Sequence, residues 1–378
     1  MRIFLAPAAG RHTFFGQFNW DGLVSNAGAL VGEVMPRLAE IKGEVKTITP
    51  AMIAPSTDRW LLASLLQKAI RRDQPQMALG AAFGLLEIDT PRLWRRLATV
   101  ALEDIGIGEL DVTLLVLAAS MIPAVRRALG GNRECLAVVI PLACKAIKDR
   151  TADHLGSLVR SLGQEGFPPA ALPKPARSWQ DDLQRCASLS HSWKQGLIGL
   201  DSVLECFEAL EAPAALVEGC RLYGRRVRDE LFIHALAAWC IGKEAAPEPV
   251  ALARPSLEGH DLGGMADYAL DPLHTRLGRR AVEIWLKSYL GAPPFGLRAV
   301  VAALWNQESA LCGQTLFWGL GGEIQAAAYQ ADLCAHGFAP ARHQELDAWI
   351  RQERSVLLSA RLMVWKSHAR GYRLEEAA

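Results

Sequence analysis

Asp271 and His274 stand three residues apart in Tyr268-Ala-Leu-Asp-Pro-Leu-His-Thr-Arg-Leu-Gly-Arg-Arg, a spacing that brings two side chains to one helix face. There a carboxylate and an imidazole could work as an acid/base pair or supply half of a metal site. Asp271-Pro272 also has the form of a helix N-cap followed by a first-turn proline, in which the carboxylate serves backbone N–H groups instead. Cys334, His336 and His343 carry metal-ligating atoms without a fourth partner at finger spacing. A buried cysteine with two surface histidines is therefore expected, and no metal or cofactor is assigned. Gly319-Leu-Gly-Gly reads as a tight connection between helices, and no serine or cysteine nucleophile elbow is evident.

Basic residues cluster at predicted helix ends. Arg221 stands with Arg225, Arg226 and Arg228, and Arg276 with Arg279 and Arg280. Between residues 351 and 373, Arg351, Arg354, Arg361, Lys366, Arg370 and Arg373 face the single acid Glu353, with Trp365 and Tyr372 interleaved. Cations mixed with aromatic rings suit phosphate neutralisation and base stacking, and Arg225, Arg226, Arg228, Arg276, Arg279, Arg361, Lys366 and Arg370 are the candidate nucleic-acid contacts. A solvated helix face has the same pattern. Convergence of the clusters at 92–96, 221–228, 276–280 and 351–373 on one surface would favour binding, and scatter would favour ordinary surface charge.

Two neighbouring stretches carry a family resemblance. Leu66-Gln-Lys-Ala-Ile-Arg-Arg-Asp-Gln-Pro-Gln-Met-Ala-Leu and Arg92-Leu-Trp-Arg-Arg-Leu-Ala-Thr-Val-Ala-Leu-Glu-Asp-Ile-Gly together resemble the C-terminal helical region of the MgsA (replication-associated recombination protein A) family of AAA+ ATPases. Lys68, Ile70, Arg71, Pro75, Ala78 and Leu79 match the first part, and Arg95, Arg96, Leu97, Ala101, Glu103, Asp104, Ile105 and Gly106 the second. The resemblance covers about residues 56–125, and the chain has no Gly-x-x-x-x-Gly-Lys-Ser/Thr to hold ATP phosphates. It implies a role in DNA replication, recombination, repair or mobile-element maintenance through oligomerisation or partner docking, without catalysis. Glu103 and Asp104 close their helix, where the macrodipole opposes acidic charge. They need cationic partners, either within the chain, with Arg96 two turns back, or across an interface formed by Arg95, Arg96, Glu103 and Asp104. An enzyme with a polar site at Asp271 and His274, and a purely structural adaptor, are the other readings.

The elements that would position these residues are helical. From Ser56, a good N-cap, apolar residues recur at helical spacing almost everywhere, and Thr90-Pro91, Gly106 and Gly108 punctuate them. Pro123 and Pro141 should kink two very apolar helices, 111–129 and 133–148. Later helical patterns run over about 180–210, 213–242, 272–290, 296–330 and 341–368. The expected fold is mainly α, a multi-helix array with a short extended N-terminal region at 1–55, an MgsA-like helical domain at 56–165, a helical segment at 179–245 and a C-terminal helical domain at 264–378.

With 51% hydrophobic residues, the 378-residue chain can bury more than one core. Its 41 basic against 40 acidic residues give no global field toward nucleic acid or membrane, so such binding must be local. The eight cysteines never form CxxC and read as small buried hydrophobes in a reducing compartment. No run reaches the length of a membrane span. A cytoplasmic location is expected. Most tryptophans, including Trp60, Trp94, Trp239, Trp285 and Trp349, sit at core spacings.

Overall fold

A computed structural model describes residues 28–34, 36, 49–51, 58–161, 179–242, 247–249, 259–289, 291–308, 316–318, 321–335 and 338–376. The protein is mainly α, as its periodicity predicts. The described part of the N-terminal region departs from the extended reading. Residues 28–34 are helical, and Leu30, Val31 and Val34 are buried in the main core while the Leu30 N–H donates to Glu218 Oε2 at 2.9 Å.

Helix Arg59–Arg71 starts at Asp58, whose carboxylate accepts from the N–H groups of Trp60 and Leu61. Ser56, the expected cap, lies outside the described residues. Asp73 adopts φ 51° and Pro75 opens helix Pro75–Ile88 at a position where its missing N–H costs nothing. Helix Thr90–Val100 is capped by Asp89 through the Arg92 N–H, whereas the Thr90 hydroxyl donates back to the Leu86 carbonyl. A π-helical turn, Ala101–Ile105, then ends at Gly106 with φ 54°. Only glycine suits this point: a β-carbon there would lie 2.6 Å from the Asp149 carbonyl oxygen.

Helix Leu110–Met121 is buried along its length from Val112 onward. At Pro123 the chain breaks rather than kinks: Ile122 is extended, as a residue before proline prefers, and a new helix runs over Pro123–Ala128. Pro141 stays inside helix Asn132–Lys145. Helices Thr151–Ser161, Trp179–Lys194, Leu200–Glu208, Ala214–Arg226 and Leu231–Gly242 complete the main layer, with Gly196 at φ 70° in the turn that divides the pattern expected at 180–210. One apolar core joins Leu61 to Ala238, so the stretches 56–165 and 179–245 share their interior.

A second, smaller core holds helices Arg276–Lys287, Leu297–Glu308 and His343–Gln352 against the N-terminal half of helix Arg354–Glu376, and Trp285 stacks on Trp349 with centroids 4.7 Å apart. Helix Gly321–Ala335 spans both cores, with Ile324 and Ala328 in the first and Tyr329 and Leu333 in the second. Strand Leu316–Trp318 pairs antiparallel with Pro247–Pro249. The two cores are joined by a buried charge cluster. Lys68 Nζ lies 3.2 Å from Asp271 and 3.7 Å from Glu308, and donates to the Tyr268 carbonyl at 3.0 Å. Arg361 grips Glu308 through two hydrogen bonds of 2.6 and 2.9 Å and reaches Asp267 at 3.1 Å, while Arg354 pairs with both acids. Such a cluster contributes less net stability than its geometry suggests, but removal of one partner leaves a buried charge uncompensated.

Candidate functional site: an arginine-lined cleft

Helix Arg59–Arg71 presents Trp60, Ser64, Gln67, Lys68 and Arg71 to a cleft of about 770 Å³. Trp60, Ser64, Gln67 and Arg71 follow one another three or four residues apart, with Lys68 beside Gln67, so they form one face. Helix Thr90–Val100 and the turn after it present Arg92, Arg95, Arg96, Thr99 and Glu103 to the same cleft. The two rows meet in sequence order. The Arg92 guanidinium sits 3.8 Å above the Trp60 ring, Arg96 donates to Gln67 Oε1 at 2.9 Å, and Arg71 donates to Glu103 at 2.7 Å. From Arg92 to Glu103 the row spans roughly 16 Å at 1.5 Å per residue.

The outer end is aromatic and cationic. Trp60 is 46% exposed, contrary to the core position expected for it, because the residues that face it are Arg92 and the cleft itself. His274 and Trp305 stand at the same mouth with ring centroids 6.5 Å apart, and an adjoining open recess carries Arg59 and Arg276. Further in, Arg160 donates to the Ser157 hydroxyl and Arg226 to the Met121 carbonyl. Arg96, Arg160 and Arg226 thus take neutral partners, and their charge is not spent on those contacts.

The inner end is acidic and tightly held. Gln67 Nε2 donates to Glu103 Oε1 and Asp104 Oδ2, both at 2.9 Å, and Arg71 Nε donates to Asp104 Oδ1 at 2.6 Å. Arg150 lies 3.3 Å from Asp104 and also pairs with Asp153. Glu103 and Asp104 therefore find their cations in Arg71 and Arg150, within the chain, rather than in Arg96. Asp104 is fully buried, Glu103 keeps 16% side-chain exposure, and Arg95 is exposed. Burial, reinforced by Asp153 and Asp104, pushes the Glu103 carboxyl up to about 7 against the pull of Arg71 and Arg150. His234, on the opposite wall, is pushed down to about 3 by burial and by Arg160 and Lys194. Its Nε2 lies 3.3 Å from the Ser190 hydroxyl, and Gly156 admits it closely: a β-carbon there would stand 2.8 Å from His234 Nδ1.

The residues chosen from sequence divide between this cleft and other places. Arg226 lines the cleft, and Arg276 borders the adjoining recess. Arg225 is exposed at 3.5 Å from Asp201, Arg279 at 3.3 Å from Glu283, and Arg228 and Lys366 are exposed. Arg361 must be corrected: it is fully buried among Glu308, Asp267 and the Leu270 carbonyl, with no face left for a phosphate. The Arg370 side chain lies outside the described residues. The clusters at 92–96 and 221–228 thus converge in part, while in the 351–373 run Arg361 is buried and Arg354 turns to Glu308 and Asp267, and Arg351 and Lys366 are exposed. Asp271 is 3% exposed, accepts from the Leu273 and His274 N–H groups and forms an ion pair with Lys68. Burial alone would raise its carboxyl, but Lys68 and the His274 hydrogen bond hold it well below the usual carboxylate range. It caps a turn ahead of helix Arg276–Lys287, which Thr275 rather than Asp271 caps, so the expected helix from 272 starts later. His274 Nδ1 is 3.1 Å from Asp271 Oδ2 at the cleft mouth. Cys334 is exposed, His343 is buried, and His336 and Gly319 lie outside the described residues. Among the described residues no group of three or more metal-ligating side chains is assembled and no helix is long and apolar enough to cross a membrane.

Sequence reasoning missed Trp60, Arg160 and Tyr223 as cleft residues, while Arg92 belongs to the basic cluster at 92–96. The polar face from Trp60 to Arg71 was the signal available. Comparison with protein-family models, with curated proteins and with solved structures found no match to this chain.

Proposed function

We propose that the protein binds single-stranded nucleic acid in this cleft and acts, without an ATP site of its own, in DNA replication, recombination or repair. The observation that carries this reading is the set Arg96, Arg160 and Arg226, each on a neutral partner, in one cleft with the exposed ring of Trp60. Guanidinium groups that are not neutralised gain most from phosphate, through counterion release. An exposed indole offers a stacking surface to an unpaired base, about 1–3 kcal/mol per base, which a paired duplex does not present. The resemblance of residues 56–125 to the helical region of the MgsA family supports the same setting, together with self-association or docking to a replication or repair protein.

Fluorescence anisotropy of a labelled single-stranded oligonucleotide tests the reading, with light scattering to give the particle mass. Wild-type protein should bind with an affinity that falls as salt rises, and Arg96→Ala should weaken binding. A strictly monomeric protein with no salt-sensitive binding to single-stranded or duplex DNA would remove both supports.

A further inference from the structure

The inner end of the cleft is fitted to hydrogen-bond donors rather than to phosphate. Glu103 is held through one oxygen: Oε1 accepts from Gln67 Nε2 at 2.9 Å and from Arg71 Nη2 at 2.7 Å. Its second oxygen takes no hydrogen bond among the described residues, and the side chain keeps its 16% exposure on the cleft wall. A carboxylate so anchored is an oriented acceptor, and an ionised carboxylate cannot donate. Arg96 and Glu103 flank one amide: Gln67 Oε1 accepts from Arg96 Nη1 at 2.9 Å and Gln67 Nε2 donates to Glu103 Oε1 at 2.9 Å, so the cation and the carboxylate stand on the two sides of Gln67, within the span of one nucleotide.

Resting on the nucleic-acid reading above, we propose that Glu103 is a specificity-determining residue: with a phosphate at Arg96, the inserted base donates its exocyclic amine to Glu103 Oε2. Cytosine N4 offers such a donor, whereas uracil presents a carbonyl oxygen at the same place and meets lone pair with lone pair. The cleft thus prefers amine-bearing bases. Asp104 is fully buried with Arg71 and Gln67, and Asp153 pairs with Arg150, so neither takes this role.

Equilibrium binding of oligo(dC) and oligo(dU) of equal length tests this, because the two bases share sugar, phosphate and ring and differ at the 4-position that Glu103 would read and at the neighbouring N3. At pH 8 the carboxyl is mostly ionised, its affinity for the proton being raised to about 7 by burial with Asp153 and Asp104 and opposed by Arg71 and Arg150. Wild-type protein should bind oligo(dC) about tenfold tighter, in the range of one good base contact. Glu103→Gln, which can both accept and donate, should bring the two within about twofold, and Arg96→Ala should weaken both alike. Equal wild-type binding of the two oligomers overturns the base-reading role and leaves the cleft reading standing. Binding of neither overturns both. The wild-type comparison is decisive even if Glu103→Gln fails to fold.

Discussion

Arg71 Nε lies 2.6 Å from Asp104 Oδ1, both side chains buried, and this bond ties helix Arg59–Arg71 to the π-helical turn 33 residues later. It joins two stretches, 59–71 and 101–105, that are separate in sequence. One supplies the cation that the other's misplaced acids require, against the helix dipole. The same bond sets the alignment of the two rows whose outer ends form the cleft mouth.

Arg71→Ala should therefore destabilise the fold strongly, by about 3–5 kcal/mol, because it strands a buried carboxylate. Chemical denaturation measures the loss. A change under 1 kcal/mol would show that Asp104 is satisfied by Gln67 and Arg150 alone.

Arg361 and Lys366 lie five residues apart on one helix and should behave oppositely. Arg361→Ala removes the fully buried partner of Glu308 and Asp267 and should cost about 3–5 kcal/mol, whereas Lys366→Ala, at an exposed position, should stay within about 0.5 kcal/mol. The same denaturation experiment applied to both variants checks the contrast.

Gly106→Ala should cost more than about 1 kcal/mol, since φ 54° suits glycine and the new methyl would strike the Asp149 carbonyl, a backbone atom without freedom to yield. Thermal unfolding would show a lowered Tm. An unchanged Tm would mean that the turn at Gly106 and the chain at Asp149 are not packed as described.

Acid should unfold the protein through its buried histidines. Burial, with Arg150 beside His154 and Arg160 beside His234, lowers both imidazoles to about 3 in the folded chain, against about 6.5 when unfolded. The unfolded chain binds more protons between these values, so stability is present above pH 6.5 and falls as pH drops toward 3, by about 1.4 kcal/mol per unit for each histidine once well below 6.5. Glu103 acts with the opposite sign. Its raised carboxyl binds its proton in the folded chain between about 4.5 and 7, so its contribution is full below that window and lost above it. Denaturation at pH 4, 5, 6 and 7 should show a falling stability that His234→Asn flattens by about one proton; an unchanged slope would mean that His234 charges freely in the folded protein.

Helical elements were legible because they depend on local signals, as Pro75 and Gly106 illustrate, although the first helix is capped by Asp58 where Ser56 was expected. The broken helix at Pro123 needed only the rule that its predecessor avoids the helical region. The charge partners were not legible. Lys68 meets Asp271 and Glu308, and Arg361 meets Asp267, from more than 90 residues away, and no spacing rule reaches that far. Trp60 shows the limit of apolar patterning from the other side. Its spacing with Leu61 and Leu65 fits a core, but it occupies the polar face that Ser64, Gln67, Lys68 and Arg71 continue. That face could have been read as a stripe, and with it one wall of the cleft.

The most direct test of the account is the salt dependence of single-stranded DNA binding by the wild-type protein and by an Arg96→Ala/Arg226→Ala variant. Each arginine that neutralises a phosphate contributes about 0.7 to the slope of log affinity against log salt on a single strand, so the double variant should lose about 1.4 of the slope and bind more weakly at low salt. Identical slopes and affinities for the two proteins would contradict the assignment of this cleft as the nucleic-acid site.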